Sequence, residues 1–102
     1  MAFTVPVAEG QVIIRNNIIN PSRGEITTLN FRLDTRTNVT VTVYDLAGDP
    51  VKTLFSGSAN AGMNEVSWDG KSRRGRAVVQ GVYLIVVKID KTRHVRKVLV
   101  VK

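Results

Sequence analysis

The segment from Val39 to Tyr44 constrains the fold more than any other, because its residues alternate strictly between apolar and polar. It reads VTVTVY, so three valines fall on one side of an extended chain and two threonines on the other. This period of two is typical of a β-strand with one buried face. No window has a helical period, and turn residues recur every 8–12 positions or so, which predicts about seven short strands. We therefore expect an all-β fold, an antiparallel β-sandwich.

The chain has 102 residues and no cysteine, which fits a single domain without disulfides. Pro6 and Gly10 interrupt the first ten residues, so we expect a linker or lead-in strand over 1–10 and one sandwich domain over 11–102. The start, MAFTVPVAEG, has neither the basic end nor the apolar centre of a signal peptide. No apolar run approaches the ~20 residues of a membrane helix, so no membrane insertion is expected.

Two further strands enclose a glycine-rich stretch that reads WDGKSRRGRAVVQGVY, from Trp68 to Tyr83. The strand before it alternates, which predicts that Trp68 is buried between the sheets. The strand after it, from Val82 to Ile89, is almost continuously apolar and is predicted to be buried on both faces. Upstream, the small residues of Ser56–Met63 predict a loop.

The same stretch carries turn signals, and its residues allow a structural or a binding interpretation. The residues expected to build this motif and the preceding turn are Asp45, Gly48, Trp68, Asp69, Gly70, Gly75, Gly81 and Tyr83. Asp and Gly at the first and fourth positions of a turn favour type I, and the glycines permit positive φ. A lone Asp among basic residues is poor ligand chemistry, so we favour a turn that fixes strand register over a binding site.

Positive charge is concentrated at the C-terminal end of the chain. The net charge is +7, and residues 71–102 carry ten Lys or Arg against Asp90 alone, a net of +9. Such asymmetry suggests a polyanion, such as lipopolysaccharide, or an acidic protein surface as partner. The candidate contacts are Lys71, Arg73, Arg74, Arg76, Arg93, Arg96 and Lys97. The alternative is a solvated face whose cations keep edge strands from pairing with other chains.

Nothing in the sequence supports catalysis, a cofactor or a metal. The single histidine, His94, stands in a predicted hairpin turn without an acid nearby, so we expect a solvated residue. Zinc would need clustered Cys and His, and each Asp is explained by its turn. Specific nucleic-acid binding would need aromatic residues among the cations, and the basic third holds only Tyr83, which is assigned to the interior. We therefore expect a protein that is not an enzyme.

A family resemblance rests on these same motifs. The turn YDLAGDPV at 44–51, the pair Ala61-Gly62, then WDG at 68–70, Gly75, Val78 and GVY at 81–83 resemble the immunoglobulin-like domain of the flagellar hook-capping, or hook scaffold, protein. The chain is also similar to C-terminal sorting domains of type IX secretion, through Asn20-Pro21, the 45–48 turn, GVY and the basic terminal strand. After WDG, relatives commonly carry acids, where this chain has Ser72, Arg73 and Arg74.

The resemblance implies an immunoglobulin-like or fibronectin type III-like sandwich with a structural or interaction role in a bacterial secreted, surface or appendage protein. It implies an extracellular or cell-surface location, as part of a longer exported protein, with other subunits or neighbouring domains as partners. Sorting by type IX secretion and polyanion binding through the basic third remain alternatives.

Overall fold

The computed structural model describes residues 11–102, which form eight β-strands and one short 3₁₀ turn. The strands are β1 (Val12–Arg15), β2 (Ile18–Ile19), β3 (Thr27–Leu33), β4 (Thr37–Tyr44), β5 (Pro50–Ala59), β6 (Gly62–Trp68), β7 (Gly81–Ile89) and β8 (Thr92–Val100). The 3₁₀ turn covers Pro21–Arg23. The predicted linker at 1–10 lies outside the described residues. No helix within 11–102 is long and apolar enough to cross a membrane.

The strands form two sheets, which confirms the predicted all-β sandwich. One sheet has three strands in the order β1-β3-β6, and the other has five in the order β2-β8-β7-β4-β5. All pairs are antiparallel except β2 with β8, which is parallel and departs from the expected antiparallel arrangement. The chain leaves the first sheet after β1 and joins the second at β2, and Asn16 with φ +58° lies at this change of sheet. The parallel pair results from that crossing.

The core lies between the sheets and is built from alternate residues of the strands that face each other. In β3 the buried residues are Leu29, Phe31 and Leu33, each at most 1% exposed. In β4 the buried apolar residues are Val39, Val41 and Val43, which confirms the predicted valine side, whereas Thr42 on the opposite side was expected to face water and is only 7% exposed. β7 contributes four more, namely Tyr83, Ile85, Val87 and Ile89. The period of two therefore decides which side chains leave water.

The prediction that Val82–Ile89 is buried on both faces is wrong. The residues between the buried ones, Val82, Leu84 and Val86, are only partly buried, and Lys88 is exposed. Continuous apolar strands are typical of sheets covered on both sides, but this domain has two layers and the opposite face of β7 points outward. The apolar run therefore produces an apolar surface instead of a second core.

The prediction of a loop over Ser56–Met63 is also wrong. β5 continues through this stretch to Ala59, which lies opposite Thr37 and is 5% exposed, and β6 begins at Gly62. The turn between the two strands is reduced to residues 60 and 61. Small residues have a low strand propensity, but strand propensity depends strongly on context. Here the pairing with β4 outweighs it.

Arg96 holds the two sheets together at an edge. Its Nε donates a hydrogen bond of 2.9 Å to the carbonyl of Val12 in β1, and its Nη1 donates one of 2.8 Å to the carbonyl of Val95. β2 pairs with β8 only at Leu99 and Val100, so at Arg96 the edge of β8 that faces away from β7 has no paired strand among the described residues. Arg96 therefore contributes to the fold, although its charge type suggested a partner contact.

Replacement of Arg96 by Ser is expected to lower the free energy of unfolding by about 1–3 kcal/mol, because two hydrogen bonds from a charged donor are lost. Urea unfolding followed by circular dichroism measures this. Lys97→Ser is the matched control: Lys97 is exposed on the same strand, and its loss is expected to change stability by about 0.5 kcal/mol or less. Equal effects of the two substitutions would show that the guanidinium does not join the sheets.

Candidate functional site

The aromatic ends of the 68–83 stretch meet inside the sandwich. Trp68 is 1% exposed, and its ring centroid lies 5.5 Å from that of Tyr83, with the planes tilted by 59°. The indole Nε1 donates to the carbonyl of Lys71 at 2.8 Å, and the Tyr83 hydroxyl donates to the carbonyl of Val79 at 2.7 Å. The predicted burial of Trp68 is confirmed, and both polar tips bind the loop backbone.

The loop between Trp68 and Tyr83 is also held by hydrogen bonds and a β-bridge between its own residues. Asp69 Oδ1 accepts the Lys71 amide at 3.1 Å, as Asp side chains do in turns. Lys71 pairs with Ala77 in an antiparallel bridge, which makes a miniature hairpin. At its tip the Gly75 amide donates to the carbonyl of Ser72 at 2.8 Å, and Gly75 has φ +79°.

Two neighbouring segments, β5 and the 3₁₀ turn, lie against this hairpin. The Arg73 amide donates to the carbonyl of Val51 in β5 at 3.1 Å. Gly70 is buried with φ +75°, and a Cβ placed on it would lie 2.4 Å from Pro21 Cγ in the 3₁₀ turn. A side chain is therefore excluded at Gly70 both by backbone conformation and by the approach of Pro21.

The turn after β4 lies beside this loop. The Asp49 amide donates to Asp45 Oδ1 at 2.9 Å, and the Gly48 amide donates to the carbonyl of Asp45 at 3.1 Å. Asp45, Tyr83 and the loop residues Arg73 and Arg74 line one open hollow of about 410 Å³. The structure thus brings together the Asp45–Gly48 turn and the glycine-rich loop, which are distant in sequence.

Burial raises the pKa of the Tyr83 hydroxyl above its usual value of 10.0, and the negative charge of Asp45 raises it further. The fold therefore favours the neutral phenol. The stability that this group contributes is fully present below pH 10.0, the usual pKa of a tyrosine, and is lost as the pH rises through the raised pKa of the folded state.

Tyr83→Phe is expected to cost about 1 kcal/mol at neutral pH, where the hydrogen bond to Val79 is intact. Above about pH 10 the wild-type protein should lose stability faster than the variant, so the difference should shrink. Urea unfolding at a series of pH values between about 7 and 11 measures both trends. A difference that stays constant over this range would contradict the proposed role of the phenol.

The candidate polyanion contacts lie in several parts of the domain. Lys71, Arg73, Arg74 and Arg76 are exposed on the loop, at the beginning of β7. Arg93 lies opposite Lys88, near the other end of β7, about 20 Å along the strand. Lys97 is exposed opposite Leu84, and Arg96 makes the backbone contacts described above. These residues therefore do not form one continuous cluster.

His94 is not the solvated turn residue that the sequence suggested. It lies in β8 opposite Val87 and is partly buried, and its Nε2 is buried without a hydrogen-bond partner in the described structure. The turn consists of Asp90 and Lys91, with Asp90 at φ +53°, so β8 begins earlier than its polar sequence indicated. Within residues 11–102, no group of three His, Cys, Asp or Glu could hold a metal ion.

Sequence reasoning missed two features of the domain. The first is the edge that Arg96 joins, and no local pattern predicts it because Val12 is 84 residues away. The second is the exposed face of β7 and β8. The sequence does place apolar residues there, since Val95 and Leu99 lie on the side of β8 opposite to the buried Val98 and Val100. Only the topology shows that no described layer covers this face.

Comparisons with known proteins agree with this fold. Among solved structures, the chain is similar to FlgD from P. aeruginosa, with 24% identity, a TM-score of 0.56, and 93% of this chain and 76% of that one covered. It is also similar to PorZ of Porphyromonas gingivalis, with 22% identity and a TM-score of 0.59 over 89% of this chain. The matched region is 11% of PorZ, which is described as an essential bacterial surface component of the type IX secretion system.

A search of curated proteins gave no match. The family model of the FlgD Ig-like domain, in contrast, matches residues 16–93. The matched range contains the Asp45–Gly48 turn, the aromatic pair and the loop between them, so it includes the residues that build the site. The chain therefore belongs to the FlgD Ig-like domain family.

Proposed function

We propose that this domain is a non-catalytic assembly or attachment module of a bacterial secreted, surface or appendage protein. Its partners are other protein subunits or neighbouring domains of its parent chain. Membership of a family of structural domains supports the general role. The exported location and the nature of the partner go beyond the family and form part of the proposal.

The main observation that supports the proposal is that the polar groups of the family motif form hydrogen bonds within the domain itself. Trp68 Nε1, Asp69 Oδ1 and the Tyr83 hydroxyl all bind backbone groups of their own loop, and Arg73 joins the loop to β5. Polar groups engaged in this way do not face a substrate. The motif therefore supports a rigid scaffold, whose surfaces are left to contact other proteins.

Deletion of residues 11–102 from the native gene tests the proposal. The parent protein should still be made and exported, but it should fail to enter the assembled structure, as measured by cell fractionation and sedimentation of the surface fraction. Retention of the parent protein in the periplasm would favour the type IX sorting alternative. Normal assembly without the domain would contradict both roles. Glu65→Ser, at an exposed position of β6 outside the candidate contacts, is the control that should assemble normally.

Polyanion binding is a second candidate, favoured by the exposed cations of the loop. Binding of heparin or lipopolysaccharide through Lys71, Arg73, Arg74 and Arg76 would be electrostatic and should fall steeply as salt rises. Arg73→Ser together with Arg74→Ser should abolish it without unfolding the domain, because the hydrogen bonds of both residues, to the Val51 carbonyl and to the Ser72 hydroxyl, come from backbone amides that the substitutions keep. Binding that is insensitive to salt would contradict this candidate.

A further inference from the structure

The outer face of the five-stranded sheet has an apolar centre. We use this name for the side chains that alternate with the buried core residues of β4, β7 and β8 and for the neighbouring side chain of β2. Its apolar members are Ile18, Tyr44, Val82, Leu84, Val86, Val95 and Leu99. Val95, Leu99 and Ile18 are 48%, 38% and 59% exposed. Adjacent strands bring them side by side, since Val86 faces Val95 and Leu84 faces Tyr44.

The outer face is shaped as a shallow groove. Tyr44, Leu84, Val86 and Val95 line a hollow of about 320 Å³ together with Arg93. A second hollow of about 340 Å³ shares Tyr44, Val86 and Arg93 with the first. The two hollows are therefore adjacent, with Tyr44, Val86 and Arg93 lining both.

The margin of the outer face is cationic. Lys88, Arg93 and Lys97 are exposed there, and β7 and β8 contain no acid. Asp45 is the acid that lines the first hollow, and its Oδ1 accepts the Asp49 amide within the turn. An apolar centre with a positive margin is complementary to a partner that carries apolar side chains between carboxylates.

The area of the outer face limits the size of the partner that can bind to it. Four strands at a spacing of about 4.8 Å, and the six steps from Arg93 to Leu99 at about 3.3 Å each, give roughly 300 Å². A stable interface between two globular proteins buries about 800 Å² on each side. A second copy of this chain would also place like charges against each other. One segment of chain fits the face better than a whole protein surface.

We propose that the outer face binds an acidic amphipathic segment of a partner protein, with its apolar side over Val86 and Val95 and its carboxylates beside Arg93 and Lys97. The inference deepens the proposed function, on which it rests, because it names the surface and the chemistry of the partner. Apolar contact supplies most of the affinity, and the cationic margin supplies the selectivity for acidic segments.

A pair of synthetic peptides tests the proposal. Each has about 14 residues, long enough as a helix to span about 21 Å, with leucines at helical spacing. The remaining positions are glutamate in one peptide and lysine in the other. Fluorescence anisotropy of the labelled peptides measures binding to residues 1–102. We expect the acidic peptide to bind at least about tenfold more tightly than the basic one, since like charges oppose binding.

Val95→Glu should weaken binding of the acidic peptide by at least about tenfold, because it places a carboxylate at the centre of the face. The new glutamate would lie two residues from Arg93 and from Lys97 on the same face, so the variant should fold, and circular dichroism checks this. Met63→Glu is the matched control: Met63 is 57% exposed on the other sheet. It should leave binding unchanged.

Several results would overturn the proposal. These are equal binding of the two peptides, no binding of either, or equal losses in Val95→Glu and Met63→Glu. A wild-type dimer in sedimentation that Val95→Glu dissociates would show that a second copy occupies the face. The peptide assay is independent of the gene deletion described above. Failure of peptide binding, with assembly still dependent on the domain, would reject this surface alone and leave the proposed function standing.

Discussion

Replacement of Trp68 by Ala is expected to lower the free energy of unfolding by about 3–5 kcal/mol. The side chain is 1% exposed and packs against Tyr83, so its removal leaves a cavity between the sheets. The carbonyl of Lys71 also loses its donor, and the loop loses the attachment of its first residues. Since domains of this size are stable by about 5–15 kcal/mol, the variant should be close to unfolding.

Urea unfolding followed by far-ultraviolet circular dichroism measures this loss, because the substitution removes the only tryptophan. Trp68→Phe is the matched control. It retains much of the ring volume and loses the indole N–H, so its cost should be smaller and should reflect mainly the lost hydrogen bond. A cost below about 1 kcal/mol for Trp68→Ala would mean that the aromatic pair is not the centre of the core.

Gly70→Ala should cost about 2–5 kcal/mol. A side chain at φ +75° costs about 1–2 kcal/mol in backbone conformation. The new Cβ would also lie 2.4 Å from Pro21 Cγ, a ring atom with little freedom to move, and such overpacking adds about 1–3 kcal/mol. The 3₁₀ turn or the loop must shift to admit the methyl group.

Gly75→Ala separates these two effects. Gly75 has nearly the same conformation, φ +79°, but no atom lies within 4 Å of an added Cβ. Its substitution should therefore cost only the backbone term, about 1–2 kcal/mol. The difference between the two variants in urea unfolding measures the contact with Pro21. Equal costs would show that the turn moves aside freely, and the loop would then not be fixed by this contact.

The sequence was most informative where local chemistry decides the structure. The alternation of Val39–Tyr44 and the burial of Trp68 follow from strand periodicity, and both are present. The Asp45–Gly48 turn forms as its residues indicate, with Gly48 at φ +88°. These features need few distant contacts, so a single sequence predicts them.

Predictions from the sequence were wrong or missing where residues far away in the chain determine the structure. β2 is a strand because Ile18 and Ile19 meet Leu99 and Val100, about 80 residues later. His94 lies in β8 because it pairs with Val87, although the four residues before it are all polar. The apolar pattern of β7 indicated that its residues avoid water but not how many layers the domain has.

The same limit applies to the site. The glycines and aromatic residues of the loop could be identified from turn chemistry and periodicity. The approach of Pro21 to Gly70, and the binding of Arg73 to β5, depend on segments far away in the chain. From the sequence, the basic residues were interpreted as one group. Strand pairing instead distributes them over the loop, the outer face and the sheet edge.

The parallel pair of β2 and β8 has a mechanical consequence. The first strand of the five-stranded sheet and the last strand of the domain run in the same direction, joined by bonds of 2.8 Å from Leu99 to Asn17 and 2.9 Å from Val101 to Ile19. Tension applied to the N-terminal end of β2 and to the C-terminal end of β8 would pull these strands past each other along their length. Both hydrogen bonds would then be loaded in shear at the same time, instead of breaking one after another.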